Sequence, residues 1–130
     1  MTPSEQPYDR KYRQWYGKGA EIYDDRFQGS FAELQAQFIV DLIQPNVGMT
    51  ILDVGAGTGR ASLPLAAAAP GAVVVAADLT PEMLQRAAEK RDSEGLDFPA
   101  LVCANGRMLP FADGSFDAVV SIRMLHLFPT

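Results

Sequence analysis

Three glycines follow an apolar segment at every second position, Gly55, Gly57 and Gly59 in the run 50–60. Glycine has no Cβ, so it reaches positive φ and lets a ligand come close to the backbone amides. The dinucleotide-binding pattern needs a further glycine where Arg60 stands, and the P-loop needs Gly-Lys-Ser/Thr after its glycines. The spacing therefore indicates a polar ligand of another kind at the end of a strand.

The segment from Ile51 to Gly59, with the sequence ILDVGAGTG, resembles motif I of the class I S-adenosylmethionine-dependent methyltransferases. A second match is Asp78, which closes the apolar run 72–77. It resembles the acidic residue that ends that family's second strand and accepts hydrogen bonds from the two ribose hydroxyls of the cofactor. A carboxylate suits a vicinal diol, because each of its oxygens can accept one O–H.

A third match lies in residues 105–111 (NGRMLPF) and 113–117 (DGSFD). These segments resemble the adenine-edge loop and the fourth strand of the branch that includes the ubiquinone and menaquinone biosynthesis methyltransferases. Many members have aspartate where this chain has Asn105. We expect a somewhat weaker contact to the adenine amine here, since asparagine keeps a carbonyl acceptor but lacks the charge. The resemblance covers roughly residues 30–128.

The resemblance implies that the chain binds S-adenosylmethionine at the strand ends. The expected cofactor-binding residues are Asp53, Gly55, Ala56, Gly57, Thr58, Asp78, Leu79, Asn105 and Gly106. Asp53 either orients the glycine loop or faces the amino group of the cofactor, and its alternative role is to form the turn at the end of the strand. Leu79 either covers the adenine ring or packs against the sheet, and the alternative for Asn105 and Gly106 is an ordinary turn.

No side chain is assigned as the catalytic group. Methyl transfer depends largely on holding the acceptor in line with the methyl group, and only some acceptors need a general base. The single histidine, His126, and Arg123 lie in a segment that resembles motif IV of the family, so they are candidates for contacts to acceptor or cofactor, with a structural role as the alternative. Tyr23 lies in a segment that resembles the tyrosine-containing region preceding motif I. The sequence has no evident metal cluster or nucleophilic triad.

The composition and net charge limit the classes of partner that the chain is expected to bind. A chain of 130 residues suits one domain, and its 11 basic and 16 acidic side chains give a net charge of −5, which disfavours a broad nucleic-acid surface. The expected partner is a small-molecule methyl acceptor. The single Cys103, predicted to be part of the core, fits a reducing compartment. No leader pattern and no apolar run of membrane-spanning length occur, so we expect no membrane span and a cytoplasmic location.

Residues 1–29 are predicted to form an N-terminal helical arm or lid, ahead of a cofactor-binding domain over residues 30–130. One interpretation of the arm is a lid that closes over cofactor and substrate, and the other is an amphipathic helix packed on the domain or a partner. Its aromatic residues recur at helical spacing: Tyr8, Tyr12, Trp15 and Tyr16.

The next helix has clear signals at both ends. Ser30 and Glu33 form a capping box at its start, and Pro45 stops it. We expect its apolar stripe to cover one face of the sheet. That stripe consists of Phe31, Leu34, Phe38 and Leu42.

Strands and helices alternate along the rest of the chain. Strands are predicted over residues 50–54, 72–77, 100–103 and 116–121, and helices over 59–69 and from Pro81, after the N-cap Thr80, to about Gly95. This alternation predicts a Rossmann-like, doubly wound parallel α/β sheet with strand order 3-2-1-4 and ligands at its carboxyl ends.

The predicted sheet stops after its fourth strand, so we expect the domain to be incomplete at its C-terminus. An open strand edge exposes unpaired backbone groups. We therefore expect self-association or a partner chain at the strand-four edge, and little turnover by the chain alone. The alternative functions are a non-catalytic or partner-completed S-adenosylmethionine-binding module, a nicotinamide dehydrogenase, which Arg60 disfavours, and an interaction protein that keeps only the fold.

Overall fold

The structure of the chain is a computed structural model that describes residues 30–122. The predicted arm over residues 1–29, with its aromatic stripe and Tyr23, lies outside the described residues, as do Arg123 and His126.

The described residues form three helices and four strands. In chain order the elements are α1 (Ser30–Ile43), β1 (Thr50–Val54), α2 (Ser62–Ala68), β2 (Val73–Asp78), α3 (Pro81–Ser93), β3 (Ala100–Cys103) and β4 (Ala118–Val120). Helices and strands alternate up to β3, and β4 follows β3 without a described helix between them. All strand pairs are parallel, and the strand order is β3-β2-β1-β4, which confirms the predicted sheet.

The register places the carboxyl end of β1 between its two neighbours. Asp53 is opposite Ala76 of β2 on one side and Val120 of β4 on the other. The loop that follows β1 therefore emerges beside Asp78, the last residue of β2. A reversal of strand order next to β1 is where parallel α/β sheets bind their ligands.

Both faces of β1 are packed, as its successive side chains alternate between the two sides. On one face Ile51 packs with Ile39 of α1 and Leu65 of α2, and all three are buried. On the other face Leu52 and the end of β1 lie under the loop before β4, which contributes a pair of phenylalanines to this cluster. Apolar side chains therefore pack against both faces of the central strand β1.

Helix α1 meets the sheet with a different face from the predicted one. Leu34, Phe38 and Leu42 are exposed by 69%, 65% and 70%, so the expectation that they cover the sheet is wrong. The helix instead packs its β-branched side chains, Ile39 and Val40 among them, against the core. The reason is that α1 carries apolar residues on two faces, and helical spacing alone does not decide which face is buried.

Three smaller expectations also differ from the structure. Helix α2 begins at Ser62 rather than Gly59, because the glycine loop continues as turns up to that point, and β4 is shorter than predicted. Cys103 is exposed rather than part of the core. It is the last residue of β3, which is an edge strand of the described sheet and is covered less than β1 and β2.

Candidate functional site

The glycine loop between β1 and α2 is folded back onto the end of β2. Its three glycines have positive φ angles of 71°, 58° and 87°. The amides of Gly55 and Ala56 both donate to the carbonyl oxygen of Ala77, at 2.8 and 3.0 Å. The backbone conformation favours glycine at position 59, and a Cβ there would lie 2.9 Å from Cδ1 of Leu63, so that the leucine side chain would have to shift.

Asp78 joins this loop to the start of α3. Its Oδ2 accepts a hydrogen bond from the amide of Gly57 at 2.8 Å, and its Oδ1 accepts one from the amide of Thr80 at 2.9 Å. Burial raises the pKa of this carboxyl, while the hydrogen bonds from Thr80 and Gly57 oppose that rise. The Thr80 side chain and the Leu79 backbone also donate to this carboxylate, so ligand hydroxyls would share or replace some of its present hydrogen bonds.

Asp53 lies at the end of β1 and is 2% exposed. Burial, together with the nearby charge of Asp78, raises its pKa to about 7, and a hydrogen bond from the backbone of Ser62 opposes the rise. Within the described residues, Oδ2 of Asp53 is buried without a hydrogen-bond partner. Such an oxygen is costly to leave unsatisfied, so it favours a ligand that brings a donor to it.

The cleft beside the glycine loop contains Asp53 and residues that the sequence did not single out as ligand contacts. Gln35 comes from α1, and Arg60 follows the last glycine directly. The full lining is Gln35, Ala36, Ile39, Asp53, Gly55, Ala56, Gly57, Arg60, Ala61 and Ile122. A cation immediately after a ligand-binding loop was the available sequence signal for Arg60, whereas nothing in the sequence distinguished Gln35.

Thr58 has a different position from the other loop residues. Its side chain is fully buried, it is not part of the cleft lining, and its hydroxyl lies 3.4 Å from Nζ of Lys90 on α3. This contact attaches the loop to α3, so Thr58 supports the loop from behind.

The loop after β3 brings the remaining predicted residues to the same edge of the sheet. The amide of Ala104 donates to the carbonyl oxygen of Asp78 at 2.9 Å, which fixes this loop against the end of β2. Oδ1 of Asn105 accepts from the amide of Arg107 at 3.0 Å, so in this structure the side chain stabilises its own turn. Asn105, Gly106 and Leu79 are each half-buried.

The geometry thus places Asp53, Asp78 and the glycine loop at one edge of the sheet, with Asn105 and Gly106 on the adjoining loop. Asp53 and part of the glycine loop line the cleft, whereas Asp78 does not belong to its lining. Over residues 30–122 no group of three or more potential metal ligands occurs. In the same part of the chain no helix is long and apolar enough to cross a membrane.

Comparison with known proteins agrees with this architecture. A family described as "Methyltransferase domain" matches residues 51–130, which contain the glycine loop and the four described strands except Thr50, the first residue of β1. The chain belongs to this family. Solved structures of S-adenosylmethionine-dependent methyltransferases share its fold, in agreement with the resemblance to the class I family in the sequence.

Two curated relatives are informative by name. Demethylmenaquinone methyltransferase of Thermus thermophilus is 46% identical over 80 residues, which is 62% of this chain and 36% of that protein. Nocamycin O-methyltransferase of Saccharothrix syringae is 34% identical over 111 residues, which is 85% of this chain and 39% of that protein. The chain spans 36% and 39% of the length of these two relatives, and 26% of the length of another curated relative, from Mycobacterium bovis.

Among solved structures, magnesium protoporphyrin IX methyltransferase from Synechocystis PCC 6803, with bound S-adenosylmethionine, has a TM-score of 0.73 at 20% identity. The alignment covers 98% of this chain and 67% of that one. At this identity the likeness concerns the fold.

The residues of this chain fit the chemistry of the family's cofactor. The Asp78 carboxylate suits a ribose diol, whose hydroxyls would replace some of its present hydrogen bonds. The unpartnered oxygen of Asp53 suits an ammonium donor. Glycines at positive φ let the ligand lie against the loop.

Proposed function

We propose that this chain is the cofactor-binding part of an S-adenosylmethionine-dependent methyltransferase that acts on a small molecule. The observation that carries the proposal is the placement of Asp78, a half-buried carboxylate at the end of β2 that binds the glycine loop through the amide of Gly57. The net charge of −5 and the small-molecule names of the two curated relatives support a small acceptor.

Each part of the site has a role in this proposal. Asp78 binds the ribose, and Asp53 receives the amino group at the other end of the cofactor. Asn105 and Gly106 face the adenine edge, for which the Asn105 side chain exchanges its hydrogen bond to Arg107 for one to the base. Leu79 lies next to Asp78 and covers one side of the ring.

When bound, the cofactor supplies an electrophilic methyl group on a sulfonium. The protein contributes by fixing both ends of the cofactor, so that an acceptor atom approaches in line with the bond that breaks. Within residues 30–122, the acidic residues of the site hold the cofactor, and none is assigned as a base toward the acceptor.

The experiment that tests this function is calorimetric titration with S-adenosylhomocysteine and, separately, with NAD. We expect saturable binding of S-adenosylhomocysteine and none of NAD, because a dinucleotide site needs glycine in place of Arg60. Equal, unsaturable responses from a folded sample would contradict the proposal.

A second candidate is a cofactor-binding module that is non-catalytic or is completed by a partner. It is favoured by the position of β4, which pairs with β1 alone in the described sheet. This module would bind S-adenosylhomocysteine without methylating any acceptor in isolation. A turnover assay with radiolabelled S-adenosylmethionine and a panel of phenols, quinols and amines separates it from a complete enzyme.

A further inference from the structure

Two buried polar atoms on either side of the glycine loop have no hydrogen-bond partner within the described part of the chain. They are Oδ2 of Asp53 and the hydroxyl oxygen of Ser62. Asp53 lies near the end of β1, before the loop, and Ser62 is the first residue of α2, after it. Both side chains are buried, and a buried polar group without a partner costs free energy, so each of the two needs an explanation.

A backbone contact places these two residues next to each other. The amide of Ser62 donates a hydrogen bond to the carboxyl group of Asp53. Because Oδ2 has no partner, this bond is made to Oδ1. A rotation of the Ser62 side chain between staggered rotamers changes the direction of its hydroxyl. Such a rotation can bring the hydroxyl to the second oxygen of the carboxyl group that the Ser62 amide already holds.

The other acceptors open to the Ser62 hydroxyl are weaker. A serine in a helix commonly donates to a carbonyl oxygen of the preceding turn, but Ser62 makes no such bond. The carbonyl oxygen of Gly59, three residues earlier, already accepts from the amide of Leu63 at 2.9 Å. A hydrogen bond to an ionised carboxylate is roughly twice as strong as one between neutral groups. Asp53 in its ionised form is therefore the better acceptor.

The charges around Asp53 determine how much such a donor matters. Burial and the charge of Asp78, on β2, disfavour the ionised carboxylate and raise its pKa. Arg60 shares the lining of the cleft with Asp53. The described residues of α1 that line the cleft are uncharged, as are all residues of α2 and β4. From the side of α2, the donors available to the carboxylate are thus the amide and the hydroxyl of Ser62.

We propose that Ser62 is a positioning residue whose hydroxyl donates to Oδ2 of Asp53 when that carboxyl group is ionised. Through its amide and its hydroxyl, Ser62 then holds both oxygens and fixes the orientation of the carboxylate. Oδ2 keeps a lone pair for a ligand donor. Ser62 does not line the cleft, so it acts through Asp53. The inference rests on the proposed function for its effect on ligand binding, and its first test needs no ligand.

The first test is urea unfolding of the ligand-free chain across a pH series. It compares the parent with Ser62→Ala, in the presence of Asp53 and of Asp53→Asn. Loss of the hydroxyl should disfavour the ionised carboxylate alone, so the stability lost in Ser62→Ala should increase as pH rises. With Asp53→Asn, the effect of Ser62→Ala should be the same at every pH. The control is Ser93→Ala, because Ser93 is exposed and donates to the carbonyl oxygen of Lys90.

The second test is calorimetric titration with S-adenosylhomocysteine on the alkaline side of neutral pH. We expect Ser62→Ala to bind about three- to tenfold more weakly than the parent, the range for one lost hydrogen bond. Ser62→Cys keeps a similar shape with a weak S–H donor, and it should also bind more weakly than the parent. With Asp53→Asn, replacing Ser62 should no longer change the affinity. Ser93→Ala should bind as the parent does.

Other results would overturn the inference. A loss of stability in Ser62→Ala that is the same at every pH would show that Ser62 only packs the start of α2. A gain at every pH would show that the buried hydroxyl has no partner. If Ser62→Ala does not fold, Ser62→Cys provides the same comparison. If the parent does not bind S-adenosylhomocysteine, the proposed function is contradicted, while the ligand-free series still decides the role of Ser62.

Discussion

At the residue scale, Asp78 connects structure and ligand binding. Its two oxygens accept from the amides of Gly57 and Thr80, so the carboxylate fixes both the glycine loop and the start of α3. The same side chain is proposed to bind the ribose. Its loss should therefore affect affinity and stability together.

Replacing Asp78 with alanine should weaken binding of S-adenosylhomocysteine by roughly 1 to 3 kcal/mol, the range for lost hydrogen bonds to a charged group. Calorimetry measures this change, and thermal unfolding should also show a lower midpoint. Asp97→Ala is the control, because Asp97 is exposed and lies in the loop before β3. A folded Asp78→Ala protein with parental affinity would show that the ribose lies elsewhere.

Asp53 makes the stability of the protein depend on pH. Its pKa is raised from 3.8 to about 7, so between these values the folded state holds a proton that the unfolded state has released. The free energy of unfolding therefore falls as pH rises through this interval.

Asp53→Asn removes that dependence, because the amide stays neutral at every pH. We expect the variant to be more stable than the parent near pH 8, by roughly 1 to 3 kcal/mol, and the two proteins to converge on the acid side. Urea unfolding across a pH series measures this, with Asp97→Asn as the exposed control. Parallel pH profiles for parent and Asp53→Asn would show that Asp53 does not titrate in this range.

The residues of the site were predictable from sequence to different degrees. The glycines and Asp78 belong to a local sequence pattern. The glycines are needed for the positive φ angles of the loop, and the aspartate is needed as a hydrogen-bond acceptor. The raised pKa of Asp53 arises from burial beside Asp78, which the chain order does not reveal. Gln35 joins the cleft only because α1 packs over β1, so tertiary structure decides its role.

At the scale of elements, the glycine loop depends on α2 packing closely against it. Gly59 has a φ of 87°, and a Cβ there would lie 2.9 Å from Leu63, the second residue of α2. Gly95 after α3 has a similar φ of 69°, but a Cβ at that position would have nothing within 4 Å. The two positions share a backbone conformation and differ in packing.

Gly59→Ala should therefore be more destabilising than Gly95→Ala. Each substitution places alanine in the left-handed region, at a cost of about 1 to 2 kcal/mol. The contact with Leu63 adds about 1 kcal/mol at position 59, the low end for overpacking, because the leucine side chain can shift. Chemical denaturation of both variants measures the difference. Equal losses of stability would mean that α2 shifts freely and that packing does not constrain the loop.

The elements themselves were largely predictable, whereas the orientation of α1 was not. Strand β1 was predicted residue for residue, and α1 ends at Ile43, before Pro45 as expected. Its exposed face, with Leu34 and Phe38, and its buried face, with Ile39, both follow helical spacing. The choice between them depends on which side chains fit the groove beside α2, which is a property of the assembled core.

At the scale of the whole molecule, the described sheet has an open side at β4. This strand pairs with β1 through Ala118, Val119 and Val120, and no described strand lies on its other side. Val119 is 59% exposed. Unpaired backbone groups next to exposed apolar surface favour pairing with another chain.

We therefore expect the 130-residue chain to self-associate through the β4 edge, or to bind a second polypeptide there. Static light scattering over a dilution series should show an apparent mass that decreases as the chain is diluted. Val119→Lys should shift this curve toward the monomer, because a charge on an edge strand opposes pairing.

The matched control is Val47→Lys, which introduces the same charge at another exposed valine, in the loop between α1 and β1. It should leave the association unchanged if the contact is specific to β4. An equal effect of both substitutions would indicate a general response to charge. A parent chain that stays monomeric at every concentration and methylates an acceptor at full rate would show that the β4 edge needs no partner, because the site would then be complete within one copy.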